Sequence, residues 1–190
     1  MGTGEDDRTL VEAWRRGDPE AARRVVALHA PAMTRVALAL CSRPEDAEEV
    51  VQDAMLRAHR SLDAFDVRRG SLRSWLVGVT ANRARQVRRG LTRYGSFLAR
   101  MRREPYAVVE PPSVHGDLDF ARRRLAALPA REREAFVLVE IEELTSGEAA
   151  RVMRISGSTV RVLVNRARRR LHGEPTTGTV HALRAEGRRK

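Results

Sequence analysis

The sequence predicts an all-α protein: two small helical domains joined by a flexible linker, the C-terminal one containing a helix-turn-helix. Three observations carry this. Apolar residues recur at helical rather than alternating spacing through two blocks of the chain. Only 4% of residues are aromatic while 32% are charged, an Arg-rich Ala/Val/Leu composition with little that reads as sheet. Between the blocks, Pro105, Pro111, Pro112, Ser113 and Gly116 interrupt any sustained apolar period. These features delimit a first domain over 8–93, a linker over 94–116, a second domain over 117–172 and a basic tail over 173–190 that is expected to be disordered. Fully extended, residues 95–117 span at most ~80 Å, so the two domains can sit well apart.

The first helix is expected over 9–28, with Leu10, Val11, Trp14, Ala21, Ala22, Val25 and Leu28 as its apolar positions, broken at Gly17-Asp18-Pro19. A second, over 31–40, is apolar almost all round (Met33, Val36, Ala37, Leu40) and belongs in a core. A third opens on Ser42-Arg-Pro-Glu45, the pattern of a capping box, and turns Ala47, Val50, Val51, Ala54, Ala58 and Leu62 inward as far as Phe65. Asp66–Gly70 is a loop. Ser71 then caps a fourth helix that runs to Arg89 and stops at Gly90. Leu98 and Met101 permit a short helix within the linker.

In the second block, residues 145–171 read as two short helices around a tight turn. Ser146 is the expected cap of the first, with Glu148 in its first turn. Ile155 plugs the turn, and Ser156-Gly157-Ser158 supplies the turn and the cap of the second helix. Val160, Val164, Ala167 and Leu171 then fall on one face, and Arg161, Asn165 and Arg168 repeat that spacing one residue on. An apolar seam beside an Arg/Asn stripe suits a major groove. Arg pairs with guanine, Asn with adenine, and the remaining arginines neutralise phosphates.

Charge narrows the partners. The 190 residues carry a formal +11 and a pI near 11.3, which favours a polyanion: nucleic acid or an anionic membrane surface. No apolar run approaches the ~18 residues that span a bilayer, and the N-terminus is acidic and polar, so a soluble cytoplasmic protein without membrane insertion is expected. Cys41 is the single cysteine and the five histidines are scattered, a pattern that predicts no disulfide, no metal site and no cofactor.

Two further faces stand out. The third helix begins Glu45, Asp46, Glu48, Glu49 and continues through Gln52 and Asp53. Acidic residues in a first turn need no ligand, because they complement the helix dipole. That accounts for Glu45 and Asp46 better than for Glu49, Gln52 and Asp53, which continue an outward face on a basic chain and suit protein docking. The fourth helix carries Asn82, Arg83, Arg85, Gln86, Arg88 and Arg89 in its second half; the dipole explains the last arginines but not the Asn and Gln, which can read base edges. Phe65 and Trp75 flank the arginine-bearing loop 66–70, an arrangement suited to stacking unpaired bases, although the spacing of Trp75 with Leu72 and Val79 favours a core role for it.

Taken in order, these segments resemble the bacterial sigma factors of the extracytoplasmic-function (ECF) group, in the sigma-70 superfamily. Asp46-Ala-Glu-Glu-Val-Val-Gln-Asp-Ala-Met-Leu-Arg-Ala-His-Arg60 resembles the helix that docks on core RNA polymerase. Phe65 through Trp75-Leu76, then Asn82-Arg83, resembles the promoter-melting segment. Leu125-x-x-Leu128-Pro129-x-x-x-Arg133 and the helix-turn-helix resemble the region that binds the upstream promoter element. The resemblance covers about 8–93 and 117–172. It implies polymerase binding through Asp46, Glu49, Gln52 and Asp53. It implies downstream-element and melted non-template-strand contacts through Phe65, Asp66, Arg68, Arg69, Ser71, Asn82, Arg83 and Gln86. Upstream duplex contacts fall to Ser158, Thr159, Arg161, Val162, Asn165, Arg166 and Arg168. It also implies an anti-sigma protein as a candidate partner and no enzymatic activity. The sequence departs from the family pattern at Arg154 and Ser158, where glycine is usual, and near Arg85, where the usual acidic residue is missing.

Two other readings are weighed. A stand-alone helix-turn-helix regulator explains 117–172 but gives the acidic face and 65–86 no role. A metal-dependent nuclease would use Glu45/Glu49 or Glu49/Asp53, which meet at i, i+4 spacing, yet no His or Lys stands beside them in sequence. Whichever protein uses the basic helix, Arg166→Ala is expected to weaken duplex binding and to flatten the salt dependence of binding by about one unit of slope, as one phosphate contact is lost. A fluorescence titration across ionic strengths that returns an unchanged slope places Arg166 off the backbone.

Overall fold

A computed structural model describes residues 3–41, 43, 45–101 and 117–171. The expectations for 102–116, for the tail over 173–190 and for Ser42 as a cap lie outside the described residues. The described chain is all-helical: α1 (Thr3–Arg15), α2 (Pro19–Leu40), α3 (Glu45–Arg60), two 3-10 turns (Leu62–Ala64 and Val67–Arg69), α4 (Leu72–Met101), α5 (Asp117–Ala126), α6 (Ala130–Phe136), a π turn (Val137–Ile141), α7 (Ser146–Met153) and α8 (Gly157–Leu171).

Several boundaries differ from the sequence reading. The expected helix over 9–28 is two helices. Gly17 takes φ +81°, and Asp18 caps α2 by accepting from the Glu20 N–H at 2.8 Å, with Pro19 as the first helical residue. Conversely, α2 continues through Pro31, because Ala27 and Pro31 both lie on its exposed face, where a missing hydrogen bond meets solvent. Helix α4 runs past Gly90 to Met101; an interior glycine costs only about 1 kcal/mol, which a long helix tolerates. Thr145, not Ser146, caps α7, in a full capping box with Glu148.

Two apolar clusters organise the molecule. One joins Val11 and Trp14 of α1, Val25 and Met33 of α2, Ala54 and Ala58 of α3, and Leu72 and Leu76 of α4. The other is lined on one side by Val36, Ala37 and Leu40 of α2 and Val77, Ala81 and Ala84 of α4. Its other side comes from Leu125, Phe136, Leu138, Met153, Val160 and Val164. The second cluster therefore crosses from the N-terminal block (α1–α4) into the C-terminal block (α5–α8). The C-terminal half of α2 lies between the clusters, which is why residues 31–40 are so largely apolar.

The boundary between blocks also holds ions. Glu142, with no exposed surface, accepts from Nε and Nη2 of Arg35, at 2.8 and 3.0 Å, and from Arg73 at 2.6 Å. Arg73 also donates to the Glu142 carbonyl at 2.6 Å. Glu134, also buried, pairs with Arg85 of α4. Cys41 lies in the same cluster; burial, with the nearby Asp46 charge, pushes its thiol up to about 11, so it stays protonated at neutral pH.

Arg154 ends α7 in the left-handed conformation, φ 55° and ψ 50°. A side chain there costs about 1–2 kcal/mol that glycine avoids. Arg154→Gly is therefore expected to raise stability, by about 0.5–1 kcal/mol after glycine's larger unfolded-state entropy is subtracted. A lower denaturation midpoint would show that the Arg154 side chain supports the turn.

Candidate functional site

Three surfaces carry the residues singled out above. On α3, Glu45, Glu49, Gln52 and Leu56 fall at i, i+4, i+7 and i+11 and are all exposed, Leu56 by 54%. Glu48 stands beside them and accepts from the Gln52 amide at 3.2 Å. Asp46 and Asp53 are half-buried at the edge of this stripe. Asp53 is turned toward its neighbours: it accepts from Arg57 at 3.1 Å and pairs with Arg83 of α4, which also lies 3.9 Å from Glu49. Asp53 thus ties α3 to α4, and much of the Arg83 charge is answered within the fold. The exposed stripe is Glu45, Glu49, Gln52 and Leu56. Leu56 was missed by sequence reasoning, although the same helical spacing would have found it.

The second surface is built around the loop between α3 and α4. Helix α1 pins this loop from both ends. Arg15 donates to the carbonyls of Leu62, at 2.6 Å, and Phe65, at 3.1 Å; Asp7 accepts the first N–H of α4, from Leu72, at 2.8 Å. Asp66 turns the chain by accepting from the Arg68 N–H at 3.0 Å, and Ser71 accepts from the Ser74 N–H at 3.1 Å to complete the α4 cap. Gly70, at φ +151°, takes a backbone conformation that side-chain-bearing residues rarely adopt, and a Cβ there would lie 2.9 Å from the Ser74 hydroxyl.

The result is a cleft of about 250 Å³ lined by Phe65, Asp66, Arg69, Ser71, Trp75 and Asn82. The Phe65 and Trp75 rings tilt across each other with centroids 5.5 Å apart. Of the other sequence candidates, Arg68 is exposed on the loop beside the cleft and Gln86 is exposed farther along α4. Trp75, expected in the core, is half-buried: it packs against the N-terminal cluster and also lines the cleft, while Phe65 is a buried member of that cluster, 8% exposed. Its stripe, Trp75, Val79, Asn82 and Gln86, was the available signal. The far wall belongs to the C-terminal block: Glu148, Arg151 and Val152 of α7.

The third surface is α8. Val160, Val164, Ala167 and Leu171 are buried, while Ser158, Thr159, Arg161, Val162, Asn165 and Arg166 are exposed. The Ser156 hydroxyl caps the helix by accepting from the Thr159 N–H at 3.1 Å, and lies 2.8 Å from both the Ser158 and Thr159 hydroxyls. Arg168 reaches Glu140 at 2.7 Å, so its charge is answered inside the C-terminal block, unlike the open stripe at Arg161 and Asn165.

The family model described as Sigma-70 region 2 matches residues 25–94, and the one described as Sigma-70, region 4 matches 121–171. The RNA polymerase sigma factor CnrH of Cupriavidus metallidurans is 30% identical over 183 residues, covering 90% of this chain and 95% of CnrH. The chain belongs to the RNA polymerase sigma factors of the extracytoplasmic-function group. The ECF RNA polymerase sigma factor SigM of Mycobacterium tuberculosis is 28% identical over 87% of this sigma factor and 82% of its own length. Two solved structures match across both blocks. CnrH in complex with the cytosolic domain of CnrY gives a TM-score of 0.64 at 28% identity, covering 88% of this sigma factor and 95% of CnrH. RpoE of Bartonella quintana, in complex with the anti-sigma factor NepR, gives 0.66 at 26% identity, covering 80% and 94%.

In this sigma factor the capping box also sets the charge of the cleft wall. Desolvation would raise the Glu148 carboxyl, but the Thr145 N–H and hydroxyl, the Ser74 hydroxyl and Arg151 outweigh it and hold Glu148 below its ordinary 4.5. The stabilisation is therefore whole above 4.5 and is lost as pH falls through the lower folded value. Thr145→Ala is expected to destabilise the protein by about 1 kcal/mol at pH 7 and by less below pH about 4. Equal losses at both pH values in denaturant titrations would exclude the carboxylate from the cap.

Proposed function

We propose that this sigma factor directs promoter-specific initiation by dividing labour among its three surfaces. The α3 stripe docks on core RNA polymerase, with Glu49, Gln52 and Leu56 at its centre and Asp46 and Asp53 at its edge. The cleft takes an unstacked base from the melted non-template strand. Trp75, backed by the buried Phe65, supplies ring surface, Asp66, Ser71 and Asn82 supply hydrogen-bonding groups, and Arg68 and Arg69 supply charge to the backbone. Gln86, and Arg83 through its tie to Asp53, extend this contact along α4. Helix α8 enters the major groove of the upstream element with Arg161, Val162, Asn165 and Arg166, steadied by Ser158 and Thr159 at its start and Arg168 at its far end.

One observation carries this reading: residues from the loop and from two turns of α4 converge on a single cleft beside an aromatic pair. Extruding a base costs a few kcal/mol, and stacking contributes about 1–3 kcal/mol, so hydrogen bonds in the cleft decide whether capture is favourable. That energy is spent on binding. The role is one of recognition rather than catalysis, exercised in the cytoplasm where polymerase works. Among the described residues no helix is long and apolar enough to cross a membrane. An anti-sigma protein is the proposed inhibitor, by analogy with RpoE, solved with the anti-sigma factor NepR. A stand-alone regulator reading leaves α1–α4 without a role.

Run-off transcription with purified bacterial core polymerase and a genomic promoter library tests the proposal: transcripts that depend on the added chain are expected, and their absence overturns it. Gln52→Ala with Leu56→Ala is expected to weaken polymerase binding by about tenfold with an unchanged melting temperature. Asp53→Ala should also lower the melting temperature, since it releases Arg83. If both variants melt alike and bind polymerase normally, the docking assignment fails.

A further inference from the structure

The outward face of α8 is polar except at its centre. Val160, Val164, Ala167 and Leu171 form the buried seam of the helix. At about 100° per residue, Val162 lies about 170° from the middle of that seam, as nearly opposite the core as the helix allows. It is 48% exposed. Arg161 and Asn165 lie to one side of it, Thr159 and Arg166 to the other.

An isolated surface valine calls for no explanation. This one interrupts the face that a duplex would meet. Among the described residues it belongs to neither apolar cluster, whereas its neighbour Leu163 packs against the second. Valine is also a poorer helix former than alanine or arginine, so local helix stability does not favour it there.

Both ends of the face are engaged within the fold. At the start of α8 the Ser158 and Thr159 hydroxyls lie 2.8 Å from the Ser156 hydroxyl that caps the helix. At the far end Arg168 pairs with Glu140, Arg170 pairs with Glu132, and the Arg169 Nε donates to the Asn165 carbonyl at 3.4 Å. The middle turn is left to present the face: Arg161, Val162, Asn165 and Arg166, all exposed.

Base edges in the major groove offer hydrogen-bonding atoms, and of the four bases only thymine adds a methyl group. A valine cannot answer a ring nitrogen, a carbonyl or an amino group. Set against one, it would take water from that group and return no partner. Set against a methyl, both apolar surfaces leave water. A β-branched side chain is short and stiff at χ1, so its methyls stand at a fixed place relative to the helix. Arg161 and Arg166, on opposite sides, centre Val162 between the two phosphate backbones.

We infer that Val162 determines one base of the upstream element: its methyl groups meet the 5-methyl group of a thymine. This rests on the entry of α8 into the major groove proposed above, and it names what that entry reads at its centre.

The test uses the full chain bound to core polymerase and duplexes randomised over one helical turn. Repeated selection should enrich a site with thymine fixed at one position. Uracil differs from thymine only in lacking the methyl, and it is placed at each thymine of the selected site in turn. At one position it should weaken wild-type binding by about fourfold. There, Val162→Ala should bind the thymine and uracil duplexes equally. Alanine is the better helix former at an exposed site, and circular dichroism checks that the variant is folded. Arg161→Ala should weaken both duplexes yet keep the uracil effect, which separates base reading from a general loss of affinity. A selected site without thymine, a wild-type chain indifferent to uracil at every thymine, or a uracil effect that persists in Val162→Ala overturns the inference while the major-groove reading stands. If selection enriches no site and Arg166→Ala keeps wild-type duplex binding, the major-groove reading itself fails, and the inference with it.

Discussion

Helix α2 imposes the constraint on which the rest of the structure depends. Its C-terminal half, 31–40, carries apolar residues on more than one face and cannot rest on a single core. Val25 and Met33 are covered by α1, α3 and α4, while Val36, Ala37 and Leu40 need a second cover, which the C-terminal block supplies. The two blocks are therefore not independent beads. Covering α2 brings α7 onto α4, and α7 on α4 turns an open groove beside Trp75 into a walled cleft.

Electrostatics follows from that packing. A chain of net charge +11 would be expected to keep its carboxylates at the surface, answering arginines in solvent. Here Glu132, Glu134 and Glu142 are buried. Two of them meet arginines across the block boundary, and Glu132 meets Arg170 at 2.9 Å within the C-terminal block. These pairings sort the arginines by role. Arg35, Arg73, Arg83, Arg85 and Arg168 are engaged inside the fold, whereas Arg161 and Arg166 stand on the exposed face of α8. Charge available to nucleic acid is thus set by which arginines the fold has already used, and the total overstates it.

Much of the site was legible. The buried seam and exposed stripe of α8 fall at the spacing of the sequence, and the loop residues Phe65, Asp66, Arg69 and Ser71 line one cleft with Asn82. What was misplaced has separate causes. Trp75 was expected in the core and does pack against it, but its stripe with Asn82 and Gln86 also brings it to the cleft. Asp53 and Arg83 were assigned to separate partners, yet they meet each other, because α3 and α4 pack side by side. Pro31 and Gly90 failed as helix stops since one sits on an exposed face and the other in a helix long enough to absorb its cost.

The sequence by itself determined the helices, the helix-turn-helix, the faces of α3 and α8 and the family, since each rests on local periodicity or on motifs a few residues long. Only the tertiary structure decided what covers α2, which arginines are already paired, and that α7 walls the cleft. The physical reason is distance along the chain. Arg35 and Glu142 lie 107 positions apart and Arg73 and Glu142 lie 69 apart. A contact of that range leaves no periodic trace, and both partners read locally as ordinary charged residues of a helix surface.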